Sequence, residues 1–277
     1  MNLYKKDING KNIQIADYPG EKGPIIAIHG LTGTHKNMHY YGEMLKGEYR
    51  FISLDLRGRG NSDEADENTT MFSHAEDVLT FIKESGFRNP ILLGHSMGAY
   101  ISAIVASRLS TVKAVILLDG GAQVSKRQDN IVKPSLGRLS KKYSSREKYV
   151  EEIKDLYSRL GISWSENLKE AVEYEVKEVG DHFENASTEN RILSDWNSFK
   201  SFNPKEVFSK IKCPILLVYA EGYIGKMEPL FFLEEYEDAI AYGENIRVIF
   251  SKSNHYTMVF ENREDINEPI VKFLSNI

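Results

Sequence analysis

A serine flanked by glycines two residues to either side, Gly94-His95-Ser96-Met97-Gly98, stands where the apolar run Ile91-Leu92-Leu93 gives way to Ala99-Tyr100-Ile101-Ser102-Ala103-Ile104-Val105-Ala106. The pattern predicts a strand, a sharp turn and a helix, with Ser96 at the apex. On such a turn the hydroxyl is presented rather than buried. The flanking glycines remove side chains that would collide with the neighbouring strand and helix. The Met97 N–H and the N-terminal end of the helix face whatever the serine attacks, so developing negative charge meets oriented donors. Ser96 thus reads as a nucleophile. The plainer alternative is a glycine-rich turn with a helix-capping serine.

A serine hydroxyl is a weak nucleophile at neutral pH. It needs a base within hydrogen-bond reach, and that base needs an acid to hold its tautomer. Of the seven histidines, only His255 follows the last expected strand and precedes a C-terminal helix, in Asn254-His255-Tyr256-Thr257. His95 belongs to the turn itself and is expected to pack with its ring away from the apex. A second donor for an oxyanion is expected from Leu31, in His29-Gly30-Leu31-Thr32-Gly33 after the run Ile25–Ile28, where the glycines let the backbone approach closely. His29 is expected to brace that loop.

These residues need a scaffold that brings strand ends together. Asn9-Gly10 between alternating stretches predicts an antiparallel pair over residues 2–17. Strands are then expected at Ile25–His29, Arg50–Asp55, Ile91–Leu93, Ala114–Leu118, Ile215–Tyr219 and Arg247–Phe250, with helices near 70–84, 97–109, 228–241 and 263–275. Continuously apolar strands alternating with helices indicate an α/β chain with a mostly parallel sheet covered on both faces, whose site lies at the strands' carboxyl ends. Between Gln123 and Pro204 no buried strand is apparent. The helical spacing of Arg146–Leu160 and Asn167–Val179 predicts a helical insertion roofing the Ser96 edge.

A chain of 277 residues, 41% hydrophobic, suffices for one large domain carrying an insertion. A net charge of −5 without a basic patch argues against nucleic acid or an anionic membrane as partner. Cys213, the single cysteine, stands beside Pro214 in an apolar run and reads as a core residue, and Asp63–Glu67 reads as a solvated loop. No signal-like stretch or membrane-length apolar run is apparent, so a cytoplasmic location is expected.

Taken in order, His29-Gly30, Asp55-Leu56-Arg57-Gly58-Arg59-Gly60-Asn61-Ser62, Gly94–Gly98 and His255 resemble the α/β-hydrolase superfamily over nearly the whole chain. The resemblance implies an α/β-hydrolase core over 1–122 and 205–277, and a helical cap or lid over 123–204. Asp55 and Arg57 fall in a structural loop of that family. In most members the triad acid follows the strand after the cap, here Ile215–Tyr223. The expected position holds Tyr223, and Glu221 stands two residues early. Some related hydrolases take the acid from the end of the strand following the nucleophile helix, which is Asp119 in Leu117-Leu118-Asp119-Gly120. The order Ser96, Asp119, His255 keeps the family's sequence, so Asp119 is favoured and Glu221 is the alternative acid.

The implied activity is serine hydrolysis of a small-molecule acyl substrate, most readily a carboxylic ester, with Leu31 and Met97 as oxyanion donors. Carbon–carbon bond hydrolases, lactonases, aminopeptidases and cofactor-free lyases use the same three residues. Serine at 96 separates the chain from epoxide hydrolases and haloalkane dehalogenases, whose nucleophile is aspartate. A non-catalytic ligand receptor keeping the fold is the reading from another class. No cofactor or metal is expected, for there is no H-E-x-x-H, paired cysteine set or dinucleotide turn. Trp164, Tyr174, His182 and Trp196, and Met38, Tyr40 and Tyr41, are expected in core or surface roles rather than as substrate contacts.

Overall fold

Along the central strands, neighbouring residues divide between two apolar layers. Ile26, Ile28, Leu92, Val115, Leu117 and Leu217 belong to one, and Ile25, Ala27, Leu93, Ile116, Leu118 and Val218 to the other. That alternation is the two-residue period of a strand, and with both faces covered it produces the unbroken apolar runs seen in the sequence. A computed structural model describes residues 1–277.

The strands are β1 (Asn2–Ile8), β2 (Lys11–Tyr18), β3 (Gly20–Ile28), β4 (Gly47–Leu54), β5 (Ile91–His95), β6 (Ala114–Leu118), β7 (Val176–Val179), β8 (His182–Asn185), β9 (Ile215–Ala220) and β10 (Ile246–Ser251). Eight of them form one sheet in the order β1-β2-β4-β3-β5-β6-β9-β10. β1 pairs antiparallel with β2 and β2 with β4, while every pair from β4 to β10 is parallel. Asn9 and Gly10 turn the first hairpin with φ of 52° and 75°, as the Asn-Gly pair requires.

The helices are α1 (His39–Leu45), α2 (Met71–Glu84), α3 (Met97–Arg108), α4 (Lys126–Leu136), α5 (Arg146–Arg159), α6 (Glu166–Tyr174), α7 (Glu189–Ser198), α8 (Pro204–Phe208), α9 (Glu237–Tyr242), α10 (Thr257–Phe260) and α11 (Glu264–Leu274). α2, α3, α8 and α9 pack on one face of the sheet, and α1, α10 and α11 on the other. α3 is buried at every position from Met97 to Ala106, which explains why it is apolar all round rather than amphipathic.

The chain from β6 to β9 carries α4 to α7. It is anchored in both layers, through Tyr149, Ile153, Tyr157, Leu168 and Val172 on one side and Trp196 on the other. Two departures from expectation lie here and just after. β7 and β8 form a hairpin turned at Gly180 (φ 62°), where only helix was expected. Its strands are four residues long and largely half-exposed, so they leave no buried apolar run to read. The helix expected at 228–241 is confined to a 3₁₀ turn at Leu233–Tyr236 and α9. Pro229 disfavours helix at Glu228, and the carbonyls of Pro229 and Leu230 are taken by the Arg127 guanidinium. Cys213 is half-buried against the first layer, and burial pushes its thiol up to about 11.

Candidate active site

Ser96 joins β5 to α3 with φ 52° and ψ −119°, a conformation costing about 1–3 kcal/mol that persists only when its surroundings enforce it. The glycines explain the enforcement. A Cβ on Gly94 would lie 2.1 Å from the Gly98 carbonyl oxygen, and one on Gly98 2.0 Å from the Ile28 carbonyl oxygen. Helix and strand therefore meet backbone to backbone. The Ser96 N–H is fixed to the Leu118 carbonyl at 2.9 Å, tying the turn to the end of β6.

The next residue after β6 is Asp119, wholly buried and also at positive φ, 46°. Its Oδ2 lies 2.7 Å from Nδ1 of His255, whose Nε2 lies 3.0 Å from Oγ of Ser96. These partners assign the tautomer: Nδ1–H donates to the carboxylate, and Nε2 is left to accept from the serine hydroxyl. The other oxygen of Asp119 accepts from the Tyr236 hydroxyl at 3.1 Å and the Ala220 N–H at 3.3 Å. Glu221 is not part of this chain of bonds. Its carboxylate accepts from the exposed Lys252 ammonium at 2.9 Å.

His255 is held by its neighbours. Oδ1 of Asn254 accepts from the N–H groups of Tyr256 and Thr257, and its Nδ2 donates to the carbonyls of Leu160 and Tyr223. His95 donates from Nε2 to the His255 carbonyl at 2.7 Å, with the two rings 4.8 Å apart. Burial keeps His95 well below the usual histidine range, so it stays neutral and serves as a brace. The same holds for His29, pushed down to about 3 by burial: Nδ1–H donates to the Gly30 carbonyl at 2.7 Å, and Nε2 accepts from the Leu56 N–H at 3.0 Å. Leu31 follows in this braced turn, and its carbonyl accepts from Arg59 at 2.9 Å. The N–H groups of Leu31 and Met97 donate to no carbonyl of the chain.

Arg59 was not legible as a site residue, yet it is almost wholly buried. Its Nη2 also reaches Oδ2 of Asp195 on α7 at 2.5 Å, with His74 3.2 Å from the same oxygen. Asp55 makes a parallel link, accepting from both the N–H and Nδ1 of His35 and, at 2.6 Å, from the Tyr174 hydroxyl on α6. Burial opposes its ionisation, but the His35 and Tyr174 hydrogen bonds outweigh that and hold its carboxyl below the usual range. Both loops beneath Ser96 are thus tied to helices of the segment above it.

Between them lies a cavity of about 160 Å³ whose lining includes Ser96, His255, Gly30, Leu31, Ile131, Val132, Leu136, Leu156, Leu230, Phe231 and Val259. Trp196 also lines it, with its indole N–H donating to Asp129 at 2.7 Å. Trp164 and His182 do not line it, and Met38 and Tyr41 are core residues. Tyr236 and Asn254 were not singled out in the sequence. Asn254 carried a local signal, an asparagine two and three residues before the N–H groups it caps. Tyr236 carried none. Among the described residues, no cluster of His, Cys, Asp and Glu is arranged to hold a metal, and no helix is long and apolar enough to cross a membrane.

The sequence model of the alpha/beta hydrolase fold matches residues 23–261. The AB hydrolase superfamily protein YisY of Bacillus subtilis (strain 168) is 28% identical over 262 residues, covering 92% of each chain. Among solved structures, an E-2-(acetamidomethylene)succinate hydrolase superposes with a TM-score of 0.79 at 17% identity, over 99% of this chain and 98% of that one. An alpha/beta hydrolase from Novosphingobium aromaticivorans DSM 12444 gives a TM-score of 0.76 at 15% identity, over 100% and 98%. At these identities the structural likeness concerns the fold.

Proposed function

The chain belongs to the alpha/beta hydrolase fold family, and from that premise we propose that it is a serine hydrolase cleaving a small acyl compound, most simply a carboxylic ester, through Ser96, His255 and Asp119. The observation that carries the reading is the continuous pair of hydrogen bonds, 2.7 Å from Asp119 to His255 and 3.0 Å from His255 to Ser96, at the wall of an apolar cavity.

In this mechanism Nε2 of His255 takes the Ser96 proton as Oγ bonds to the substrate carbonyl carbon, whose oxygen becomes an oxyanion. The N–H groups of Leu31 and Met97 receive that oxyanion, each worth about 3 kcal/mol of barrier. The Nε2 proton then passes to the leaving oxygen as its bond to carbon breaks, giving the free alcohol and an acyl-Ser96 ester. Water next gives a proton to Nε2 and bonds to the acyl carbon, and collapse returns the proton to Oγ and releases the acid. Asp119 keeps Nδ1–H in place and stabilises the imidazolium formed twice per cycle. The α4–α7 segment serves as the cap that selects the acyl group and excludes water.

A fluorophosphonate probe tests the reading: it labels the wild-type protein, and Ser96→Ala abolishes labelling. A folded wild-type protein that resists the probe would favour a ligand receptor built on the same fold. A panel of p-nitrophenyl esters of graded chain length, beside lactones and aminoacyl amides, assigns the bond that is cleaved.

A further inference from the structure

One part of the cavity wall breaks its apolar character. Arg138, in the 3₁₀ turn Gly137–Ser140 after α4, and Glu175, following α6, both line the space that Ser96 and His255 line. Nη2 of Arg138 donates to Oγ1 of Thr32 at 3.1 Å, next to Leu31 in the braced turn. That is the only hydrogen bond its guanidinium makes, and no carboxylate lies within ion-pair distance of it. Most of its N–H groups therefore have no partner in the chain, on a half-buried side chain that lines the cavity. Glu175 is 5% exposed, and its Oε2 accepts only a long 3.4 Å bond from the Tyr149 hydroxyl. Burial pushes its carboxyl up to about 7, against the pull of Arg138 and Tyr149. The charged or titratable groups around the pair are Tyr149 and Tyr157 of α5, with Tyr256 also near Arg138.

A half-buried guanidinium with most of its planar fork free is matched to a carboxylate, which accepts two parallel bonds. An ammonium ligand is disfavoured at the same wall, because Arg138 repels it and burial disfavours the Glu175 anion that would attract it. We propose that Arg138 is the anchor for a carboxylate on the substrate, so that the compound cleaved at Ser96 is an acyl ester bearing a second, free carboxyl group. This rests on the serine-hydrolase reading for the bond cleaved, but not for the binding of the carboxylate.

The experiment therefore has two arms. In the first, p-nitrophenyl hydrogen glutarate is compared with p-nitrophenyl valerate, and the ratio of the two kcat/KM values is taken within each protein, which removes differences in folded fraction. Wild type is expected to favour the charged ester about tenfold or more. Arg138→Met should lower that ratio roughly 30-fold, mostly through KM of the charged ester, with Arg138→Lys between the two. In the second arm, monomethyl glutarate is titrated calorimetrically into Ser96→Ala and into Ser96→Ala/Arg138→Met. Binding to the first and at least tenfold weaker binding to the second supports the anchor, even if no ester is turned over and the fluorophosphonate fails to label. A wild-type ratio at or below one, a ratio that Arg138→Met leaves unchanged, or equal or absent binding in the two Ser96→Ala proteins would overturn it.

Discussion

Asp119→Asn is the sharpest perturbation of the site, because the surroundings decide how the new amide must sit. In the wild-type protein one carboxylate oxygen faces Nδ1 of His255 while the other accepts from the Ala220 N–H and the Tyr236 hydroxyl. The Ala220 N–H can only donate, so the amide oxygen of asparagine is retained on that side and its NH₂ group turns to His255. Two donors cannot face each other, so Nδ1 must give up its proton and the ring carries it on Nε2. Nε2 then has no lone pair for the Ser96 hydroxyl, although no atom has moved appreciably. Where this tautomer inversion operates in serine hydrolases, it lowers kcat by about 10⁴, or roughly 5.5 kcal/mol of barrier. Stopped and steady-state hydrolysis of p-nitrophenyl esters measures the loss, and circular dichroism with thermal melting checks that the fold survives. Glu221→Gln, which removes only a contact to Lys252, should stay within about twofold of wild type, as surface substitutions do. An Asp119→Asn enzyme within tenfold of wild type, or a Glu221→Gln enzyme equally impaired, would refute the assignment of the acid.

Three further outcomes follow from neighbouring contacts. Tyr236→Phe removes one of the two donors on the far oxygen of Asp119 and should cost about 1 kcal/mol in stability, seen as a lowered denaturation midpoint, with a several-fold fall in kcat. Arg59→Met leaves Asp195 buried beside His74 without its guanidinium, and chemical denaturation should show a loss of about 3–5 kcal/mol. Glu175, raised from 4.5 to about 7 by burial, favours the folded state most below its unfolded value and loses that contribution as pH rises through about 7. Between pH 5 and 8.5 the wild-type protein should therefore lose on the order of 3 kcal/mol that Glu175→Gln keeps, so parallel melting curves for the two proteins would contradict the placement of this carboxyl.

Much of this was readable from residue order, for physical reasons that differ between elements. The central strands announce themselves because both faces are covered, so Ile25–Ile28 and Ile215–Tyr219 had to be apolar throughout. The Ser96 turn is legible because backbone packs on backbone there, and only glycine fits at 94 and 98. His255 is singled out by its place after the last strand, and Asp119 by family likeness, since no local pattern marks it. Tyr236, Arg59 with Asp195, and Arg138 with Thr32 were not found. Each acts across more than a hundred residues of chain, and no periodicity or capping preference records such a partner. The β7–β8 hairpin escaped for the opposite reason: its strands are short and half-solvated, so burial imprints no pattern on them.

The guanidinium of Arg59 grips the Leu31 carbonyl with one hand and α7 with the other. Under the proposed mechanism, lifting α7 would tug the carbonyl of Leu31, one peptide along from the N–H that serves the oxyanion. A bulky guest that forced its way in by levering this helix upward would blunt the catalyst it came to use. For the proposed hydrolase this coupling would restrain breadth of diet mechanically, in favour of compact guests that slip beneath a stationary ceiling.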